Sequence, residues 1–405
     1  MPSNNRLITP TPRWLPLAVF LYTLLGFGLP GRAEETASLP TTVVCLGDSI
    51  TDGNTYPLIL MQSFHETGGP VPAFICSGVG GDSAKTMDAR FEKTVVIFKP
   101  QLVTVNAGTN DAAQHVSAED YGKAIRSIVA KAKAIGARVM LVTPSECLAR
   151  NGKTEVEKEE NFKKTQTHLD SYEAVLRTIA AEDSCLLAEN RKLMKEAIAS
   201  GKSLFVEDNT HPNYLGQSII ARSILDALGR GSVALPPKFD PQPLPGLIGN
   251  WMLRRTPLDT KGQPVLLTPS MVSELVPDAT WTSWALPEKD PLADSPGMWV
   301  EQMRRNGTVQ KTERFLGKGK FIQGVAEITS TDGGEAFIQT GMGIQTVWLN
   351  GTKVHDQMKV WTGAHVGKER IPVSLAKGNN TIVIEASESF VLSVTPRLIW
   401  EDRIY

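Results

Sequence analysis

The sequence predicts a two-domain protein, an α/β domain with a parallel sheet followed by an all-β domain. In the first half, short and almost wholly apolar runs alternate with amphipathic stretches, as in parallel strands covered by helices on both faces. In the second half, short strand-like runs are separated by turn residues, and no long helical pattern occurs. The 405 residues are enough for two or three domains.

Five apolar runs are the predicted strands of the parallel sheet. They are Thr41–Leu46, Ala73–Cys76, Leu102–Asn106, Arg138–Thr143 and Cys185–Ala188. The amphipathic stretches predict helices over Ala118–Ile135, Asn161–Ala181 and Asn213–Leu228. Ser117 with Asp120 is suited to cap the first of these helices, and Gly136 is suited to end it.

A proline-rich stretch separates the two domains. Five prolines fall between residues 236 and 245, and this composition favours a stiff, extended linker. We therefore expect the α/β domain at residues 34–230, the linker at 231–246 and the all-β domain at 247–405. The last region holds seven of the eight tryptophans. Its run Val347–Val354 predicts two strands joined by an Asn350-Gly351 turn, and together with the later strand pairs it favours a β-sandwich.

The N-terminus has the pattern of a secretory signal peptide at residues 1–33. Arg6 and Arg13 precede an apolar run from Trp14 to Leu29, and small residues lie before a cleavage site after Ala33. The run is about 16 residues long, short of the ~20 that span a bilayer. We expect a secreted or periplasmic protein with no stable membrane span after cleavage; an uncleaved anchor is the alternative.

Charge and cysteine content indicate which ligands to expect. The chain has 42 basic and 43 acidic residues, so nothing indicates a nucleic-acid partner. The cysteines lack the spacing of metal ligands, and we expect neither a metal nor a cofactor. In an oxidising compartment they allow three pairings, among which the sequence does not choose. They are Cys45, Cys76, Cys147 and Cys185.

Four polar segments are expected to meet at one edge of the parallel sheet. Gly47-Asp48-Ser49 ends the first strand, Gly78–Asp82 follows the second and Asn106–Asp111 follows the third; Asp208–Pro212 precedes the last helix. The carboxyl ends of the strands are where an open α/β sheet binds its ligands. The four segments therefore predict a single site.

The side chains of these segments suit acyl transfer. Ser49 is the candidate nucleophile, and His211 is the histidine best placed to act as its base. Asp208, three residues before His211, can hold the imidazole tautomer and stabilise the imidazolium. The oxyanion of a tetrahedral intermediate would be bound by the N–H groups of Ser49 and Gly81 and by the Asn110 amide. Asp48 is expected to hold the turn, and Asp82 and Asp111 are expected to cap helices.

Together, the four segments resemble the conserved blocks of the SGNH or GDSL hydrolases, in the same order and with similar spacing. The resemblance covers roughly residues 41–228. It implies a flavodoxin-like three-layer α/β/α fold and ester hydrolysis through an acyl-enzyme, with the roles just given. One departure is the doubled Gly80-Gly81, which leaves Gly80 as an alternative donor to Gly81.

The second domain resembles the galactose-binding-like jelly rolls attached to many enzymes that act on glycosides. The resemblance lies in Val347–Val354 and in the run from Ile371 to Ile384. With the esterase blocks and the signal pattern, it favours a secreted carbohydrate esterase that removes O-acetyl groups from an acylated poly- or oligosaccharide.

Three alternatives remain on the sequence alone. One is a lipid acyl hydrolase of the lysophospholipase or lipase type, and another is a non-catalytic glycan-binding surface protein. The third, a metal hydrolase, would use Asp48, Asn110, Asp208 and His211; it is disfavoured because a single histidine falls in the four segments. The charged stretch from Ser145 to Phe162 is expected to be a solvated loop leading into a helix, with a rim over the site as the alternative.

Overall fold

The computed structural model describes residues 38–237, 246–286, 309, 312–341, 343–356, 369–387 and 389–396. The predicted signal peptide at residues 1–33 and residues 238–245 of the predicted proline-rich linker lie outside the described residues. Within the part that is described, no helix has both the length and the apolar character needed to cross a membrane.

The α/β region is built on a five-stranded parallel sheet. Its strands lie in the order β2-β1-β3-β4-β5, which is the flavodoxin-like order, so the predicted fold class is confirmed. Because the chain passes from β1 to one neighbour and later returns to the other, the β1/β3 boundary is the switch point of the sheet. The strands are β1 (Thr42–Gly47), β2 (Ala73–Gly78), β3 (Leu102–Asn106), β4 (Arg138–Val142) and β5 (Leu186–Ala188).

Helices cover both faces of this sheet. In chain order they are α1 (Ser49–Asp52), α2 (Thr55–Glu66), α3 (Ala84–Thr94), α4 (Thr109–Ala113), α5 (Ala118–Ala134), α6 (Glu155–Glu182), α7 (Asn190–Ala199) and α8 (Tyr214–Ala227). Alternate residues of β1 enter two separate cores. Val44 and Leu46 pack with α3, α5 and α6, whereas Val43 and Cys45 pack with α2, α7 and α8. Burial on both faces explains why the strand is apolar throughout.

The helix predictions differ from the structure in the start of α6 and in the absence of α2, α3 and α7, which were not predicted. Helix α6 begins at Glu155 rather than Asn161, because Thr154 and Glu157 form a capping box that starts it earlier. Helix α2 was not predicted, because nearly all of it is buried and it therefore lacks the polar face that marks an amphipathic helix. The ends of α5 and α8 agree with the prediction to within one residue.

The second region consists of antiparallel sheets, as predicted. A six-stranded sheet has the order β11-β10-β13-β8-β6-β7, and a three-stranded sheet has the order β12-β9-β14. Asn350 and Gly351 have φ values of 50° and 81° in the turn between β10 and β11. The strands are β6 (Asn250–Arg255), β7 (Thr282–Ala285), β8 (Phe321–Ser330), β9 (Gly334–Gly341), β10 (Ile344–Leu349), β11 (Thr352–Asp356), β12 (Glu369–Leu375), β13 (Gly378–Ser387) and β14 (Val391–Thr395).

One hydrophobic core joins these two sheets. It contains Trp251 and Ile384 from the larger sheet and Ile338 and Leu392 from the smaller one. Such a shared core is the arrangement of a β-sandwich. The jelly-roll connection and the domain boundaries stay predictions. Two short helices, α9 (Pro269–Ser273) and α10 (Glu313–Leu316), complete the described part of this region.

Candidate active site

Ser49 lies at the carboxyl end of β1, where helix α1 begins. Gly47 and Gly78 pair with each other at the ends of β1 and β2. A Cβ atom on Gly78 would lie 2.1 Å from the backbone nitrogen of Asp52, so only glycine lets α1 approach the end of β2 this closely. This close packing fixes the start of the helix that carries Ser49.

Asp48 has the structural role that was expected. Its carboxylate accepts a hydrogen bond from the Ile50 N–H at 2.9 Å and so caps α1. Burial raises the pKa of Asp48 to about 7, and the nearby carboxylates of Asp111 and Asp82 act in the same direction. Asp48 therefore holds the turn before Ser49 and exchanges its proton near neutral pH.

The structure brings Ser49, His211 and Asp208 into one hydrogen-bonded chain. Ser49 Oγ lies 2.8 Å from His211 Nε2, and His211 Nδ1 lies 2.6 Å from Asp208 Oδ2. The other carboxylate oxygen of Asp208 accepts from the N–H groups of Thr210 and His211. Partial burial alone would raise the pKa of Asp208, but these hydrogen bonds outweigh it and lower the pKa. Asp208 is thus kept as a carboxylate that faces the imidazole.

A neighbouring loop supports the turn that carries His211. The N–H of Leu148 donates to the carbonyl of Asn209 at 2.8 Å. The thiol of Cys147 lies 3.6 Å from Thr210 Oγ1. Asn209 itself has φ 55°, a left-handed conformation that asparagine tolerates better than most residues. The turn is therefore held both by its own hydrogen bonds and from behind.

Two of the three predicted oxyanion donors, Gly81 and Asn110, are brought together at Asp82, which follows Gly81 and accepts from the Asn110 amide. Gly81 occupies the third position of a turn closed by the Asp82 N–H on the Val79 carbonyl, and its φ of 84° favours glycine there. A Cβ on Gly80 would lie 4.0 Å from Ser49 Cβ, so this turn borders the nucleophile, and Gly80 stays an alternative donor. The Asn110 amide donates one hydrogen to the Asp82 carbonyl at 2.9 Å, which leaves its second hydrogen for a ligand.

The two neighbouring aspartates differ from each other. Asp111 was expected to cap a helix, and it does so. Both of its carboxylate oxygens accept from the Ala84 N–H at the start of α3, although Asp111 itself lies in the segment after β3. Burial raises its pKa to about 6. The prediction that Asp82 is a cap was wrong: Ser83 caps α3. Asp82 instead pairs with Arg90, a residue that the sequence did not single out because nothing in its spacing marks it.

The stretch from Ser145 to Phe162 is solvated only in part. Its charged residues from Lys153 onward are exposed or half-buried, but Ser145 and Glu146 are buried. The Glu146 carboxylate pairs at 3.1 Å with Arg191, which is buried as well. The expectation of a solvated loop was therefore wrong at its beginning, where burial of an ion pair cannot be read from a charged sequence.

The structure also bears on metal and sulfur chemistry. Among the described residues, no cluster of three or more His, Cys, Asp or Glu side chains could hold a metal ion. All four cysteines are free thiols, and Cys45 and Cys76 are buried at paired positions of β1 and β2.

Comparisons with known proteins place the similarity in the α/β region. Residues 45–219 match the model of the GDSL-like lipase/acylhydrolase family. An acetylxylan esterase from Geobacillus stearothermophilus is 26% identical over 166 residues, which are 38% of this chain and 70% of that protein.

Two solved structures are similar at lower identity. LAE5, an alpha/beta hydrolase enzyme from the metagenome of Lake Arreo in Spain, is 22% identical, with a TM-score of 0.41 over 47% of this chain and 96% of that one. The acetylxylan esterase Axe2 from Geobacillus stearothermophilus is 21% identical, with a TM-score of 0.40 over 47% and 94%. Residues 45–219, which include Ser49, Asn110 and His211, are thus similar to the GDSL-like lipase/acylhydrolase family.

Proposed function

We propose that the protein is a secreted or periplasmic serine esterase that removes O-acetyl groups from poly- or oligosaccharides. The observation that carries the proposal is the chain of hydrogen bonds from Ser49 Oγ through His211 to Asp208. A serine in contact with an imidazole that is itself oriented by a carboxylate is the arrangement of an activated acyl-transfer nucleophile.

The geometry supports a two-step reaction. His211 Nε2 takes the proton of Ser49 as Oγ attacks the ester carbonyl carbon. Collapse of the tetrahedral intermediate breaks the bond to the sugar oxygen, which receives that proton, and leaves an acyl group on Ser49. In the second step His211 deprotonates a water that attacks the acyl-enzyme, and it returns the proton to Oγ as the carboxylic acid leaves.

The oxyanion formed in both steps would be bound by three donors. They are the N–H groups of Ser49 and Gly81 and the free amide hydrogen of Asn110. Hydrogen bonds that are already aimed at the developing charge stabilise the transition state more than the substrate. Asp208 contributes by stabilising the imidazolium that exists while the oxyanion is present.

Carbohydrate as the substrate is supported by the similarity to a protein named acetylxylan esterase. The β-sandwich region fits an accessory domain of a glycan-acting enzyme, and the pattern of residues 1–33 fits export. A lipid acyl hydrolase shares the same catalytic chemistry, so the length of the acyl chain that is accepted distinguishes the two.

The decisive experiment measures acetate release from acetylated xylooligosaccharides, together with hydrolysis of p-nitrophenyl esters of increasing chain length. We expect turnover of the acetyl substrates and a loss of at least about 10³-fold in kcat in Ser49→Ala and His211→Ala. The matched control is His65→Ala, because His65 is an exposed histidine on α2. This variant should retain activity.

Three other results would overturn the proposal, each in its own way. Full activity of Ser49→Ala would exclude the serine mechanism. A preference for long acyl chains would identify a lipid acyl hydrolase. Retention on acetylated glycan without turnover of p-nitrophenyl acetate would identify a glycan-binding protein.

A further inference from the structure

We propose that Arg90 is a positioning residue that holds the oxyanion donors Gly81 and Asn110 in place through Asp82. The proposal rests on the proposed esterase function and adds to it a residue outside the triad and the oxyanion hole. Arg90 lies on α3, and its hydrogen bonds go to Asp82, Ser77, Thr94 and Gly47 and to none of the reacting atoms of the proposed reaction.

All five N–H groups of the Arg90 guanidinium have acceptors. Nε donates to Asp82 Oδ2 at 2.5 Å. Nη1 donates to the hydroxyls of Ser77 and Thr94, each at 2.9 Å. Nη2 donates to the carbonyls of Gly47 and Ser77, each also at 2.9 Å. A fully satisfied, planar fork has a single orientation, unlike a flexible surface arginine.

Four of these five contacts lie at the edge of the sheet that carries the site. Gly47 is two residues before Ser49, and Ser77 and Asp82 lie on either side of the turn that contains Gly81. Arg90 therefore ties the end of β1 to the end of β2 and to the turn after β2. The side chain is only 15% exposed, so water competes weakly for these hydrogen bonds.

Asp82 passes this restraint to the oxyanion donors. Its carboxylate is held by Arg90, its N–H closes the turn on Val79, and its carbonyl accepts from the Asn110 amide. A shift of the Asp82 backbone would thus move the N–H of Gly81 and the amide of Asn110 together. Displacement of catalytic donors by about 1 Å is enough to cost a large factor in rate.

Arg90→Lys is the sharpest variant, because it keeps the charge and removes the fork. An ammonium has three donors at one point and cannot reach both strand ends and Asp82. We expect kcat to fall by about 10-fold to 100-fold, with KM changing much less, because the loss falls on the transition state. Arg126→Lys is the matched control, since Arg126 lies on α5 and pairs at the surface with Glu182.

Two further measurements separate positioning from a merely structural role. The first is a double-mutant cycle with Asn110→Ala: if Arg90 acts through the oxyanion donors, the double variant loses less than the product of the two single losses. The second is the affinity for methylboronic acid, which forms a tetrahedral adduct with a nucleophilic serine. We expect this affinity to fall in parallel with kcat in Arg90→Lys.

Asp82→Asn is a second variant that tests the same contact in case Arg90→Lys does not fold. It preserves the backbone carbonyl that binds Asn110 and removes the charge that binds Arg90, and it should reproduce the loss in kcat. Urea unfolding checks that each variant is folded at the assay temperature.

The proposal is overturned if folded Arg90→Lys and Asp82→Asn keep kcat within about twofold of the parent, or if Arg90→Lys and Asn110→Ala are fully additive. These results are distinct from failure of the esterase proposal, which would show as an active Ser49→Ala variant or as no turnover by the parent protein.

Discussion

The two halves of the site are built in different ways. The oxyanion half, which comprises Ser49, residues 79–82 and Asn110, is assembled from three strand ends and held by contacts such as Asn110 to Asp82 and Arg90 to Gly47. The base half, residues 208–211, is a single turn in which Asp208 binds both the ring and the backbone N–H of His211. The first half depends on the whole sheet, and the second depends mainly on its own sequence.

The pKa values of the carboxyl groups in and next to the two halves differ in the same way. Asp48 and Asp111 are almost fully buried, and burial raises their pKa to about 7 and about 6. The side chain of Asp208 is 48% exposed, and its hydrogen bonds lower its pKa despite partial burial. The two buried carboxyl groups that cap helices next to the oxyanion half thus have a raised pKa, whereas the pKa of the carboxyl group in the base half is lowered.

Asp208→Asn tests the base half and should have the largest effect. The amide cannot both accept from the imidazole and hold the turn, so we expect kcat to fall by about 10³-fold, below the ~10⁴-fold typical of a fully buried orienting aspartate. Initial rates with p-nitrophenyl acetate measure this, with Asp226→Asn on α8 as the control. A loss smaller than tenfold would show that the base half works without its carboxylate.

Asn110→Ala tests the oxyanion half. It removes one side-chain donor, and we expect a loss of about 10²-fold in kcat, roughly 3 kcal/mol of transition-state stabilisation, with KM little changed. Gln114→Ala, at the exposed end of the same short helix, is the control. If KM rises while kcat is unchanged, Asn110 binds the substrate instead of the transition state.

Arg191→Met tests whether the base half needs its tertiary support. It leaves the buried carboxylate of Glu146 unpaired, and we expect the free energy of unfolding to fall by about 3 kcal/mol. The kcat of the folded enzyme should fall less than in Asn110→Ala, because the turn at 208–211 is held locally. Urea denaturation measures the stability, with Lys195→Met on the same helix as the exposed control. A kcat loss as large as that of Asn110→Ala would erase the contrast between the two halves.

The buried carboxyl group of Asp48 predicts a pH dependence of the free energy of unfolding. The pKa of Asp48 is raised from 3.8 to about 7 on folding, so the folded state binds more protons between these values. Its contribution is fully present below about pH 4 and is lost as the pH rises through about 7, with a slope of at most about 1.4 kcal/mol per pH unit. In Asp48→Asn, the free energy of unfolding should depend less on pH in this range, as measured by urea denaturation at several pH values. An unchanged slope would mean that Asp48 is ionised throughout.

Much of the α/β region was predictable because its signals are local. An apolar run that is buried on both faces reads as a parallel strand, and the cap at Ser117 was recognisable from the sequence. Helix α2 was missed because burial removed its polar face. In the candidate site, the i to i+3 spacing of Asp208 and His211 made their contact predictable.

The residues that were missed have partners far away along the chain. Arg90 binds Gly47 across 43 residues, and Arg191 binds Glu146 across 45. In a sequence these arginines are indistinguishable from solvated ones. Long-range pairing depends on how helices dock on the sheet, and no short pattern records that.

The sequence by itself determined the parallel strands, the segments that carry the site and the Asp208–His211 pair, because each depends on residues that are neighbours in the chain. Only the tertiary structure decided that Ser49 meets His211, that Asn110 is hydrogen-bonded to Asp82, that Arg90 is half-buried and that Arg191 is buried. Those contacts form when the strands align in the order 2-1-3-4-5 and bring their carboxyl ends to one edge.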